Sequence, residues 1–256
     1  MQAARLPMSY GGAWLVQGWA IFKQQPMAML FWSLMTSLLV NLSYLIPLLG
    51  QLALITATPA LGFIALNACL NIERGQPMTP NMWLLPLKNK VTRTALLRLG
   101  VVYLGFCLLA GFITVLPFSD SIIAAMSVEQ IDPIQLAAAV RQPFFLFFIL
   151  YLGISILFWH APALMGWYQI PLKKALFYSM VACWRNKGAL LLFAAVWAAI
   201  YFALQFIASL LFSTLEPSFA SFVVMPLNLF MMAVLYSNFY PIFRSIFGQN
   251  NPPPTA

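Results

Sequence analysis

His160 is the residue most able to do chemistry in this 256-residue chain, because it is the only histidine. It lies in a long apolar segment, two positions before Pro162. An ionisable side chain in a membrane helix is a functional candidate, since burying its charge is costly. Two interpretations are open: a structural or interfacial hydrogen bond made by the neutral ring, or a proton relay or ligand contact.

Three prolines at related positions of the apolar segments predict bends in the helices that contain them, because proline removes a backbone hydrogen bond. They are Pro59, Pro162 and Pro226. The bends either serve packing or line a ligand cavity. Asn67 and Asn228 lie in the same segments and are further candidates for such a cavity, although hydrogen bonding between helices is the commoner use of these residues.

The remaining polar residues do not form a catalytic or metal-binding pattern. No carboxylate falls within an apolar segment, and no phosphate-cradling or dinucleotide-binding glycine motif is present. Serine hydrolysis would need a serine, a base and an orienting group within reach of one another. The spacing of Cys69, Cys107 and Cys183 fits neither a metal site nor a disulfide framework. The sequence therefore predicts no enzyme activity, no cofactor and no metal.

Composition places these residues in a membrane. Hydrophobic residues make up 62% of the chain and charged residues 7%, against about 25% charged in soluble domains. Six apolar segments are long enough to cross about 30 Å of hydrocarbon. They cover residues 26–46, 48–71, 95–116, 143–167, 188–212 and 220–240. Lipid offers an open backbone no hydrogen-bond partner, so these segments are predicted to be helices. Gly100, Gly105 and Gly111 predict close approach of a neighbouring helix to the third segment.

The charged residues predict the orientation of the chain. With a cytoplasmic N-terminus, every lysine and arginine except Arg141 is cytoplasmic, as membrane proteins prefer. The acidic residues show the opposite bias, with Asp120, Glu129, Asp132 and Glu216 outside and Glu73 inside. Both termini are therefore predicted to be cytoplasmic. The net charge of +8 then anchors loops and does not indicate a nucleic-acid partner.

Three segments before spans on the predicted cytoplasmic side have the composition of amphipathic helices in the headgroup region, over residues 12–24, 80–90 and 172–187. Their aromatic and basic residues are expected membrane anchors. These anchors are Trp14, Trp19, Lys23, Lys88, Lys90, Lys173, Lys174, Trp184, Arg185 and Lys187. The segments, named elbows here, are either structural corners or surfaces that recruit a partner or anionic phospholipid.

The elbows belong to an internal repeat, because residues 13–31 align without gaps to residues 175–193. The predicted fold is all-α integral membrane. Its six transmembrane helices form three pseudo-repeated hairpins, each preceded by a cytoplasmic interfacial amphipathic helix. Residues 1–247 form a single polytopic domain, and residues 248–256 are expected to be a disordered tail.

Short motifs resemble an uncharacterised family of bacterial six-span integral membrane proteins. They are G-W-x-x-F-x-x-x-P from Gly18 to Pro26, T-P-A-L from Thr58 to Leu61, and E-R-G-x-P from Glu73 to Pro77. The layout is more distantly similar to the membrane domain fused to some glycerophosphodiester phosphodiesterases. The resemblance implies a bacterial inner membrane and a role in envelope maintenance. It implies no catalysis, since the catalytic domain of those fusions is absent from this sequence.

Two functions remain as hypotheses. The first is a non-enzymatic inner-membrane protein whose partners are the lipid bilayer, anionic phospholipid or another membrane protein. The alternative is a small secondary transporter or channel, with a cavity lined by proline-bent helices near His160. A transporter needs a polar, hydrated cavity at mid-membrane, whereas a lipid-binding protein has an apolar core or a lateral groove.

Overall fold

A computed structural model describes residues 3–127, 132–212 and 217–248, and within these ranges the chain is helical and contains no strand. The helices are α1 (Tyr10–Gln24), α2 (Pro26–Ser43), α3 (Leu49–Glu73), α4 (Pro80–Trp83), α5 (Leu85–Lys88), α6 (Lys90–Val115), α7 (Ser119–Met126), α8 (Pro133–Phe158), α9 (Ala161–Gly166), α10 (Leu172–Arg185), α11 (Lys187–Phe212) and α12 (Pro217–Phe247). The predicted all-α class is confirmed.

Five stretches of the described residues are long and apolar enough to cross a membrane. They are Pro26–Ser43, Leu49–Glu73, Lys90–Met126, Ile134–Gly166 and Lys187–Leu211. The expected sixth span, residues 220–240, falls within α12, which is not one of these five. The predicted tail over residues 248–256 lies, apart from Gly248, outside the described residues.

Local capping explains why two spans begin earlier than their apolar segments. The side chain of Asn89 accepts hydrogen bonds from the backbone N–H groups of Val91 and Thr92, and α6 therefore begins at Lys90. At the start of α8, Oδ1 of Asp132 accepts from the N–H of Ile134 at 2.9 Å. Such caps satisfy backbone donors that the first helical turn leaves free.

The expected fourth span, 143–167, is two helices in the structure. Helix α8 continues through Pro143 and ends at Phe158, and α9 begins two residues after Trp159. Pro162 lies in the first turn of α9, where its missing N–H costs little. It therefore follows a break between two helices, and the predicted bend within one helix is replaced by this break.

Helix α3 is the most enclosed of the five apolar stretches, and its C-terminal half is buried from Phe63 to Ile72. It packs against α2, α6, α9 and α12. The elbows lie against the ends of other helices, with α1 on α12 and α11, and α10 on α8 and α9. Helix α11 is the least enclosed of the five, since only 6% of its most apolar part is buried.

Glycine permits close helix approach at only one of the three positions predicted in α6. A Cβ atom on Gly100 would lie 2.0 Å from the carbonyl oxygen of Thr56 in α3, whereas Gly105 and Gly111 face open space. The prediction is therefore right for Gly100 and wrong for the other two. Helix periodicity turns Gly105 away from α3, whereas Gly111 lies on the same face of α6 as Gly100 but about 16 Å further along the axis, where no neighbouring atom lies within 4 Å of its Cβ position.

Candidate functional site

A central cavity of about 390 Å³ lies among α2, α3, α6, α8, α9 and α12. Pro59 of α3 and Pro162 of α9 both line it, beside Tyr236 and Phe239 of α12. Pro59 is inside its helix, where it cannot donate the usual backbone hydrogen bond. Two of the three predicted proline positions thus meet at one cavity.

A second, outer cavity of about 720 Å³ lies between α2, α11 and α12. It is lined by Trp197 and Tyr201 of α11 and by residues of α2 and α12. Val40, Met232 and Leu235 line both cavities. The two spaces therefore adjoin across the contact between α2 and α12, and each falls in the range of about 300–1,000 Å³ that is common for ligand pockets.

The linings are mainly apolar, and none of their described residues is charged. Several polar groups of the central cavity already have partners. The hydroxyls of Tyr103 and Tyr151 lie 3.1 Å apart and share a hydrogen bond. Thr58 Oγ1 donates to the carbonyl of Leu54 at 3.0 Å. The walls consequently offer few free polar atoms to a water-soluble ligand.

His160 is buried at the break between α8 and α9 and lines neither cavity. Its ring centroid lies 5.9 Å from that of Phe243 and 5.4 Å from that of Phe247, both in α12. Its backbone N–H donates to Ser179 Oγ at 3.0 Å, and Ser179 donates in turn to the carbonyl of Ile156 at 3.0 Å. Ser179 therefore bridges backbone groups at the helix break, and its hydroxyl is bonded to the backbone of His160 and not to the ring.

The two candidate asparagines lie in different surroundings. Asn67 is buried in α3, and its Oδ1 accepts from Nε1 of Trp167 at 3.2 Å. Asn228 lines the outer cavity, and its Oδ1 accepts from Nε2 of Gln205 at 2.7 Å. Pro226 is exposed and lines neither cavity. The predicted set therefore does not form one site: Pro59 and Pro162 share the central cavity, while His160, Asn67 and Pro226 are elsewhere.

Nine of the ten predicted anchors are exposed, and Trp14 is the exception. Its indole is fully buried, and Nε1 donates to Ser245 Oγ of α12 at 2.8 Å. Trp14 thus joins α1 to α12, where lipid does not reach it. Trp184, by contrast, is 68% exposed, and Nζ of Lys187 lies 4.6 Å from the centroid of its ring. The other exposed anchors are Trp19, Lys23, Lys88, Lys90, Lys173, Lys174 and Arg185.

Polar contacts that the sequence did not indicate hold the two ends of the described chain together. The N–H of Ala4 donates to the carbonyl of Ile246 at 2.9 Å. Arg244 of α12 forms an ion pair with Glu73 at the end of α3. The side chain of Asn186 bonds the backbone of Leu6 and of Ala4. These contacts place both ends on the same side of the bundle.

Cys183 lies on the buried face of α10, outside the spans, and its burial changes the acidity of its thiol. Burial raises the pKa of the Cys183 thiol to about 12, and a hydrogen bond with Ser179 only partly opposes this effect. Cys183 is therefore a protonated packing residue at neutral pH. Across the described ranges, no group of three or more His, Cys, Asp or Glu residues could hold a metal ion.

Comparison with known proteins gives one informative similarity. A protein of Burkholderia thailandensis, described as a probable inner membrane protein, is 29% identical over 268 residues, which cover 98% of this chain and 96% of that protein. No protein-family model matches the chain, and no solved structure matches it. The similarity and the five apolar stretches together support a multi-pass protein of the bacterial inner membrane. The similarity to the membrane domain of the phosphodiesterase fusions stays an expectation.

Proposed function

We propose that this chain is a non-enzymatic inner-membrane protein that binds a membrane lipid in the two adjoining cavities and so contributes to envelope maintenance. One observation carries the proposal: Val40, Met232 and Leu235 line both the central and the outer cavity. A ligand that occupies both must be long, mainly apolar and able to enter from the bilayer. The acyl chains of a lipid have these properties.

The proposed topology has six spans, with α12 as the sixth. Helix α12 contains 31 residues, which correspond to about 46 Å at 1.5 Å per residue and exceed the hydrocarbon thickness. Both ends of the described chain lie together, as an even number of spans requires. The excess of basic residues on that side supports a cytoplasmic location for both termini.

The packing of the elbows supports the proposed repeat. Helix α1 lies on α12, the second span of the third unit, and α10 lies on α8 and α9, the second span of the second unit. The middle elbow is shorter, and its Trp83 stacks on Trp32 of α2 with 4.8 Å between ring centroids. Each elbow thus packs against the bundle, while its exposed basic residues are free to contact headgroups.

The polarity of the cavities favours lipid over a transported solute. A path for a polar solute needs hydrogen-bonding or charged groups that replace water, and the described lining residues include no charge. The proposed transport residues His160 and Asn67 are packed among protein side chains and line neither cavity. The transporter hypothesis is therefore not the one we propose.

Filling the junction between the cavities tests the proposal. Val40 and Leu39 are neighbours in α2 with 39% and 42% exposure, but only Val40 lines the cavities. The full chain, extracted in mild detergent, is expected to retain lipid in native mass spectrometry. Val40→Phe is expected to lower the retained fraction, whereas Leu39→Phe leaves it unchanged. Absence of retained lipid in the wild type, or equal behaviour of the two variants, would refute the proposal.

A further inference from the structure

We propose that a groove between α3 and α6 is a second site, which binds a phospholipid with an anionic headgroup through Arg93. The groove has a volume of about 470 Å³ and ends beside α5. It shares no lining residue with the central or the outer cavity. Binding at this groove therefore does not depend on occupancy of those cavities.

The floor of the groove is apolar and continuous. Leu52, Thr56 and Ala60 are spaced by four residues along α3, so they lie on one face over about 12 Å. Thr56 Oγ1 donates to the carbonyl of Leu52 at 2.8 Å, which leaves its hydroxyl already bonded. Leu96 and Leu97 of α6 form the opposite wall. A surface of this kind fits an acyl chain.

Arg93 supplies the one charge among the described lining residues of this groove. It lies in the first turn of α6, and its side chain is exposed. No hydrogen bond or ion pair of this guanidinium occurs within the described part of the chain. An exposed guanidinium without a partner in the protein is free to bind a phosphate group, which can accept two parallel hydrogen bonds from it.

The position of Arg93 is suited to the headgroup region of the inner leaflet. Helix α6 begins beside the elbow formed by α4 and α5, and the exposed residues Lys88 and Lys90 flank its start. Their charges add to the attraction of an anionic headgroup. The combination of a charged end and an apolar floor selects a phospholipid. A free anion has no apolar part that could cover the floor of the groove, and an acidic peptide has no acyl chain that could occupy it.

The test compares headgroups on the full chain. The protein is reconstituted in nanodiscs that contain equal amounts of phosphatidylglycerol and phosphatidylcholine, then released into mild detergent for native mass spectrometry. The wild type is expected to retain phosphatidylglycerol preferentially. Arg93→Gln is expected to lower this preference about fivefold, the effect of one basic residue near an anionic surface. Arg98→Gln is the control, because Arg98 is an exposed arginine of the same helix that does not line the groove.

A second variant tests the apolar part of the site. Ala57→Leu fills the groove and retains Arg93, so it is expected to lower retention of both lipids at this site. The melting temperature of each variant in lipid-free detergent controls for folding. Equal loss of preference in Arg93→Gln and Arg98→Gln, or unchanged retention in a folded Ala57→Leu protein, would overturn the inference. Val40→Phe, which fills the junction of the other two cavities, is expected to leave the headgroup preference intact.

Discussion

Replacing Gly100 with alanine tests the packing of α3 against α6. The added Cβ would lie 2.0 Å from the carbonyl oxygen of Thr56 and 3.0 Å from its carbonyl carbon. Both atoms belong to the backbone, so they cannot move aside as a flexible side chain could. The two helices must therefore separate, and the groove along Thr56 changes with them.

The expected loss of stability in Gly100→Ala follows from a comparison with Gly105, five residues later in α6. A Cβ on Gly105 meets no atom within 4 Å. Both substitutions gain about 1 kcal/mol of helix propensity, and this gain cancels between them. The difference is then the cost of overpacking, about 1–3 kcal/mol. For a protein of this size, that difference corresponds to a melting temperature lower by about 2–12 °C for Gly100→Ala.

Thermal unfolding in mild detergent, followed by tryptophan fluorescence, measures this difference. Both variants are purified under the same lipid conditions, because bound lipid raises the apparent stability by mass action. Gly105→Ala is expected to melt at or above the temperature of the wild type. A Gly100→Ala protein that melts together with Gly105→Ala would contradict the close contact of the two backbones and remove the geometry on which the groove depends.

Two further predictions concern residues outside the spans. Asn186→Ala removes three side-chain hydrogen bonds, to the backbone of Leu6, Ala4 and Ala182, and is expected to cost about 2–3 kcal/mol, at about 1 kcal/mol for each hydrogen bond. Limited trypsin digestion should then cut faster after Arg5, whereas an exposed control, Asn81→Ala, is expected to behave as the wild type does. A Cys183-only variant should react with maleimide about a thousandfold more slowly than a free thiol at pH 7, because burial raises the pKa of its thiol to about 12. Its rate should rise about tenfold with each pH unit until the pH approaches that pKa, and a rate that levels off near pH 9 would contradict the burial.

The sequence predicted the helices well where a single apolar run determines the element. The expected first and second spans, 26–46 and 48–71, fall on α2 and α3 with ends that differ by at most three residues. Length and hydrophobicity are local properties, and the membrane leaves the backbone no alternative to a helix. The break at His160 was not predicted, because it depends on Ser179, which lies 19 residues away and bonds the freed backbone groups.

The residues of the cavities were harder to identify than the prolines beside them. Val40 and Leu235 lie far apart in the sequence and belong to ordinary apolar runs, so neither carries a local signal of a ligand site. Pro59 and Pro162 were predicted because proline has a known effect on a helix. His160 and Asn67 are polar, but that property alone does not distinguish a residue packed within the protein from one that lines a cavity.

The first elbow shows how two interpretations of one segment can both apply. Trp14 and Gly18 lie on the face of α1 that packs on α12, and a Cβ on Gly18 would approach Asn238 Oδ1 to 2.2 Å. Trp19 and Lys23 are exposed on the same helix. A helix of 15 residues has separate faces for protein and for lipid. The structural role therefore belongs to the buried face, and the proposed contact with headgroups requires only the exposed one.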